Sequence, residues 1–192
     1  MRADPWRAIW VAEAMFHSNT ERLIDYWRGL RSGRPVPSRA SVDPSGFVAL
    51  APRTFIASRD EWGGFELRLA GEMLIDLHGR QLRGGQLERL WRPIHRQRLA
   101  GLLEAALAAG EPLVTSAEAW GPDAVHVRLE VLFLPLAGAD GVADRFLGLY
   151  QPTTGVWRGP VSELALLGGY GVADETLPFH LRLATVDGRQ LA

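Results

Sequence analysis

The sequence predicts an α+β domain: a five-stranded antiparallel sheet with helices on one face, an N-terminal helical cap and a C-terminal extension. Three observations carry this. Phe65-Glu-Leu-Arg-Leu-Ala70 alternates, with Phe65, Leu67 and Leu69 expected on one face and Glu66 and Arg68 on the other. Gly71, Gly79, Gly84 and Gly85 then cut the chain into short pieces before a long apolar-striped helix. A run of three further strands closes the pattern, the last of them apolar on both faces. Strand, broken helical crossing and covering helix together describe a sheet with a concave, roofed face, suited to small-molecule sensing or partner docking.

Taken in order, Asp4-Pro5 reads as an N-cap followed by proline, with Trp6, Ile9 and Trp10 on a short leading helix. Ser18-Asn-Thr-Glu21 matches a capping box, and the helix it opens carries Leu23, Ile24, Tyr26, Trp27 and Leu30 at helical spacing. That stripe needs a partner. Its own sheet is one destination, and a twofold-related copy or a partner protein is the other, which makes Leu23, Tyr26, Trp27 and Leu30 the docking candidates. Pro35 to Pro44 is a connector, and Phe47-Val-Ala-Leu50 a helical turn. Thr54–Ser58 and the strand at Phe65 form a hairpin across Glu61-Trp-Gly-Gly64.

The long helix is expected from about Leu87 to Ala109, with regular helix starting near Arg92 because Pro93 fits only a first turn. Leu113–Trp120 and Val125–Leu136 flank the turn cluster Gly121-Pro-Asp123. Arg145–Tyr150 follows as a central strand, buried between two layers. Beyond Pro152 the chain reads as a loose, glycine-rich connection with a short helix at Val161–Leu167. The tail Phe179–Ala184 with Gly188–Leu191 echoes Phe65–Ala70 with Gly79–Leu82, which is too little for a repeat architecture. The expected division is 1–40 cap and connector, 41–153 domain, and 154–192 extension.

Composition excludes several chemistries. The 192 residues are 47% hydrophobic, enough for a real core, and contain no Cys. Disulfides, thiolate metal sites and Cys nucleophiles are therefore ruled out. All 21 basic residues are Arg, so a P-loop lysine and a Schiff-base lysine are ruled out as well. Against 22 acidic residues the net charge is −1, which gives no basis for counterion-driven nucleic-acid binding. No apolar run reaches the roughly 20 residues of a membrane span, and no signal-peptide pattern opens the chain, so a cytoplasmic address is expected.

The order of Arg22-Leu23, Tyr26-Trp-Arg-Gly-Leu-Arg31, Pro37-x-Arg39, Val42-Asp-Pro44, Phe65-x-Leu-Arg-Leu-Ala-Gly71, Gly79-Arg-x-Leu82, Leu87-x-x-Leu-Trp91, Glu130-x-Leu-x-Leu-Pro-Leu136 and Leu147-Gly148 resembles the PAS fold. More narrowly, it is similar to the single-PAS proteins of proteobacteria. The likeness runs over about residues 17–153 and implies a sensory or regulatory domain. Such a domain is expected to act through ligand-modulated or constitutive protein–protein interaction. No phosphotransfer His box, cyclase signature or DNA-binding helix pair is read in the remainder, so no effector is expected.

That resemblance places a pocket between sheet and long helix. Its candidates are Trp91, His95 and Leu99 from the helix, and Leu67, Leu69, Val127 and Leu129 from the strands. His95 sits on the helix stripe, and PAS haem sensors take an iron ligand from this helix; a hydrogen-bonded rim histidine is the leading reading, with no metal expected. Flavin photochemistry through a cysteinyl adduct is excluded, whereas a flavin held without one stays open. The first expectation is no cofactor, with a small hydrophobic ligand or a filled, ligand-free interaction module as alternatives. His126, Arg128 and Glu130 share a strand face of ion pairs, and Arg92, Arg96 and Arg98 form a basic patch. An enzyme using Asp76 or Glu130 as a proton-transfer group is the remaining alternative.

Overall fold

A computed structural model describes residues 16–120, 126–154, 160–172 and 181–183. The leading helix with Trp6, Ile9 and Trp10, the turn at Gly121, and most of the tail lie outside the described residues.

Helix α1 spans Ser18–Leu30, α2 Glu72–His78 and α3 Pro93–Ala109. The strands are β1 Thr54–Arg59, β2 Phe65–Ala70, β3 Leu113–Trp120, β4 His126–Ala137, β5 Ala143–Thr154, β6 Glu163–Val172 and β7 Leu181–Leu183. They form one antiparallel sheet in the order β2-β1-β5-β4-β3-β6-β7. Where five strands were expected, the described residues form seven, because the extension adds two. Glu163–Val172 is a strand where a short helix at Val161–Leu167 was expected. The free edge of β3 supplies eight residue pairs to it, and Leu164 and Leu166 gain a buried place against α3. An isolated helix of that length would offer its leucines nothing comparable.

Two cores lie on opposite sides of the sheet. On one side α2, α3 and the 3₁₀ turn Leu87–Leu90 cover Phe55, Leu67, Leu129, Phe133 and Tyr150. On the other, Leu23, Ile24 and Trp27 of α1 cover Leu132, Leu134, Leu147 and Leu149. Of the two destinations open to the α1 stripe, the structure shows its own sheet: Leu23 and Trp27 are fully buried there, and Trp27 Nε1 donates to the Pro135 carbonyl at 2.7 Å. Tyr26 and Leu30 are partly buried at its border. Tyr26 packs edge-on to Phe47 at 5.1 Å, and its hydroxyl both donates to and accepts from the Asp43 backbone.

Three local expectations are corrected. Leu69 does not share a face with Leu67. Between the pairs Ile56↔Leu69 and Ala57↔Leu67, Arg68 is an extra residue in β2, and the bulge turns Leu69 to the α1 side, where it is 47% exposed. The long helix is not continuous from Leu87: a 3₁₀ turn ends at Leu90 and Arg92 is extended, as a residue before proline must be, so α3 begins at Pro93. The turn near Phe47 is likewise a 3₁₀ segment, Pro44–Phe47, started by the Asp43 side chain.

The start of α1 also differs from a capping box. His17 is the N-cap, its Nδ1 accepting from the Asn19 N–H at 3.1 Å. Glu130 reaches across from β4 and accepts from the His17 N–H at 3.0 and 3.1 Å and from Thr20 Oγ1 at 2.6 Å. A carboxylate at a helix N-terminus meets both unbonded N–H groups and the positive end of the helix dipole.

Candidate functional site

Alternation along the strands sends one side chain in two toward α3. From β4 these are Val127, Leu129, Val131 and Phe133, and from β5 Phe146 and Tyr150. Gly148 lies between the two aromatic residues of β5 because Phe55 fills its space; a Cβ there would fall within the Phe55 ring. The result is a chain of edge-on rings, with Phe55 to Phe133 at 5.7 Å, Phe55 to Tyr150 at 5.8 Å and Phe133 to Phe146 at 5.8 Å. Such pairs are each worth about 1 kcal/mol beyond burial.

Of the seven pocket candidates, Leu67, Trp91, Leu99, Val127 and Leu129 meet on this face, each at most 2% exposed. Leu69 is displaced by the bulge. His95 is half-buried where α3 meets β6, its Nδ1 accepting from the Leu166 N–H at 3.0 Å. That bond puts the proton of the neutral ring on Nε2 and makes His95 a cap on a strand edge. Burial, then the charges of Arg92 and Arg98, push its pKa down. The neighbouring Arg92 N–H donates to the Leu164 carbonyl at 2.9 Å, and Arg96 bridges the Trp91 carbonyl and Glu163. The basic patch thereby ties α3 to β6.

Of the polar groups on the inner face, Trp91 was a sequence candidate for the pocket, whereas His78 and Tyr150 were passed over. Among the described residues, three buried side-chain atoms there have no hydrogen-bond partner: His78 Nε2, Trp91 Nε1 and Tyr150 Oη. His78 ends α2 and meets Tyr150 edge-on at 6.0 Å. Burial, aided by Arg80, lowers the His78 pKa to about 4, so its ring is neutral at ordinary pH. Burial also raises the Tyr150 hydroxyl, keeping it protonated. The face therefore offers two N–H or O–H donors, from Trp91 and Tyr150, and an uncharged imidazole that can give or take a bond. An unpaired buried donor costs about 1–3 kcal/mol, which makes these atoms the chemistry of the interior. For His78 and Tyr150 the only signal in sequence was a His at a helix end and a Tyr in an apolar strand, and neither stands out.

No carboxylate is buried among the described residues. Asp76 is exposed on α2, and Glu130 lies on the opposite face, engaged at α1, so the two acid–base candidates are not brought together. Arg128 pairs with Glu118 across β3 and β4 at 3.1 Å. Among the described residues no cluster of three metal-ligating side chains occurs, and no helix is long and apolar enough to cross a membrane.

Comparison with known proteins gives the family of this chain. The sequence family described as "PAS domain" matches residues 15–151, more than half of the chain, and the chain belongs to that family. The structure is similar to a light-oxygen-voltage domain studied with a flavin analogue, at 13% identity and a TM-score of 0.46, covering 57% of this chain and 83% of that one. It is similar to the dark-state light-oxygen-voltage domain of the blue-light photoreceptor Aureochrome1, at 10% identity and 0.43, covering 76% and 89%. An RNA-binding light-oxygen-voltage receptor matches at 17% identity and 0.43, covering 58% of this chain and 33% of that one. No curated protein matches in sequence. The strands β6 and β7 lie beyond the family match.

Proposed function

We propose that this chain is a sensory or regulatory PAS module that holds a small, uncharged, acceptor-bearing ligand on its inner face and conveys occupancy to α1. The observation that carries the reading is the set of three unpaired atoms, His78 Nε2, Trp91 Nε1 and Tyr150 Oη, in an otherwise apolar core. A carbonyl-bearing apolar molecule meets donors without bringing a charge into a core that holds no buried ion.

The route to α1 is short. Tyr150 points inward, and its neighbour Gln151 points outward, where its Oε1 accepts from Asn19 Nδ2 and Arg53 Nη1, both at 3.0 Å. Gln151 pairs across the ladder with Glu130, which holds the first turn of α1. A ligand bonded to Tyr150 bears on the strand that anchors the helix, and the partner, a second copy or another cytoplasmic protein, reads the helix position. A ligand-free interaction module is the second reading, favoured by Trp91, Leu99 and Leu103 filling the same space with no exposed surface.

Native mass spectrometry and absorbance of freshly purified protein, beside Tyr150→Phe, separate them. The ligand reading expects a bound mass that the variant loses. Absence of bound mass in the wild-type chain, with the variant stabilised by about 1 kcal/mol through removal of the unpaired hydroxyl, overturns it.

A further inference from the structure

Several partly buried arginines in this domain end on a carboxylate. Arg59 pairs with Glu104 at 2.7 Å, Arg96 with Glu163 at 3.3 Å and Arg145 with Asp144 at 2.6 Å. Arg80 and Arg89, both exposed, do not, and both line one hollow. The hollow, of about 340 Å³, lies between β2 and the loop running from α2 to the 3₁₀ turn Leu87–Leu90. Leu67, Leu82 and Leu90, each at most 2% exposed, back the hollow, and among the described residues no carboxylate lines it.

Local backbone explains why the two guanidinium groups are the donors left over. Gly79 ends α2 in the left-handed region at φ 61°, and Arg80 starts the loop. The loop is then stitched to the outer edge of β2, with the Leu67 N–H donating to the Gly85 carbonyl at 2.9 Å and the Gly84 N–H to the Leu67 carbonyl at 2.8 Å. Nearby acids are committed elsewhere. Asp60 accepts from the Trp62 and Gly64 N–H groups and from Gln86 Nε2, Glu88 accepts from the Phe65 N–H, and Glu66 pairs with Arg68. What remains is two forked, permanently charged donors at one hollow, with no carboxylate of the described residues paired to them. Arginine forks of this kind match the oxygens of a carboxylate or phosphate. The volume sits near the low end of the roughly 300–1,000 Å³ of small-molecule pockets.

We propose that this hollow is a binding site for a small organic anion, a carboxylate or a phosphate ester. The anionic oxygens sit between Arg80 and Arg89, and the apolar part lies against Leu67, Leu82 and Leu90. The site goes beyond the interior reading and does not depend on it, since none of the three unpaired interior atoms lines it.

The test titrates the full chain with inorganic phosphate and, separately, with octanoate. The amide resonances of Gly84, Gly85 and Leu82 are followed by NMR, beside Arg80→Gln, Arg89→Gln and the double variant. The side chains replaced are exposed and unpaired, so all three variants are expected to fold, and their far-UV circular dichroism checks this. Saturable shifts confined to the loop, with affinity weakened at least about tenfold by the double substitution, are expected. Tighter binding of phosphate assigns the phosphate source, and tighter binding of octanoate assigns the carboxylate with its apolar tail. Absence of saturable shifts with either probe overturns the site, as does binding that the folded double variant keeps unchanged. Tyr150→Phe is expected to leave these titrations unaltered, so failure of the interior reading and failure of this one give different results.

Discussion

Acidification should destabilise this domain through His78, and the size of the effect follows from its surroundings. The ring is 5% exposed at the C-terminal end of α2, against Tyr150. A helix C-terminus by itself favours an imidazolium. Burial outweighs that preference, and Arg80 adds to it, so the folded-state pKa falls from 6.5 to about 4. The unfolded chain takes up the proton as pH drops through 6.5, whereas the folded chain refuses it until about 4. Above 6.5 both states bind none and the group is silent; between 6.5 and 4 the unfolded state binds more protons, and stability falls with pH. At about 1.4 kcal/mol per pH unit, the whole window is worth about 3 kcal/mol. His78→Leu removes the titration but leaves every carboxylate in place. Urea unfolding, followed by tryptophan fluorescence at neutral pH and at the lower end of the window, should show the variant gaining about 3 kcal/mol on the wild-type chain. Parallel pH dependences in the two proteins, or a His78 ring that titrates near 6.5 by NMR, would refute the argument.

Two further substitutions test how α1 is held. Trp27→Phe keeps an aromatic ring in the α1 core but leaves the Pro135 carbonyl without its donor, and should cost about 2 kcal/mol in urea unfolding. A change under about 0.5 kcal/mol would show that water or another donor replaces the indole. Glu130→Ala takes away the acceptor for the His17 N–H and the Thr20 hydroxyl, and should cost about 1–2 kcal/mol. Amide exchange should quicken in the first turn of α1 while β4 and β5 stay protected; uniform exchange across the domain would contradict a local anchor.

Much of the fold was legible because periodicity reports which side chains need shelter. The α1 stripe, the alternation of β4, the doubly apolar β5 and the breaks at glycine and proline all appear where the sequence puts them. Where that shelter comes from was less legible. Leu23 and Trp27 face β4 and β5 of their own sheet, though the same stripe would suit a second copy. Leu69 follows the β2 alternation in sequence and is turned out by one extra residue whose presence depends on pairing with β1. Glycine-rich Leu164–Gly171 carries little strand signal of its own and becomes β6 because β3 has an edge to fill.

For the candidate site the division is sharper. Trp91, Leu99, Leu67, Val127 and Leu129 were legible as core, since each lies on an apolar face. His95 was legible as an unusual residue on that stripe, but its bond to Leu166 needed β6 in place. His78, Tyr150, Arg80 and Arg89 carried no usable signal, because being unpaired is a property of neighbours and not of a residue.

By itself, then, the amino-acid order determined the class of domain, the chemistries it cannot perform without Cys or Lys, and the faces that must be buried. Folding decided which polar groups end without partners, since a hydrogen bond or ion pair is won or lost by distances of an ångström between segments far apart in the chain. His78 and Tyr150 stand 72 residues apart and meet only where α2 packs on the inner face of the sheet.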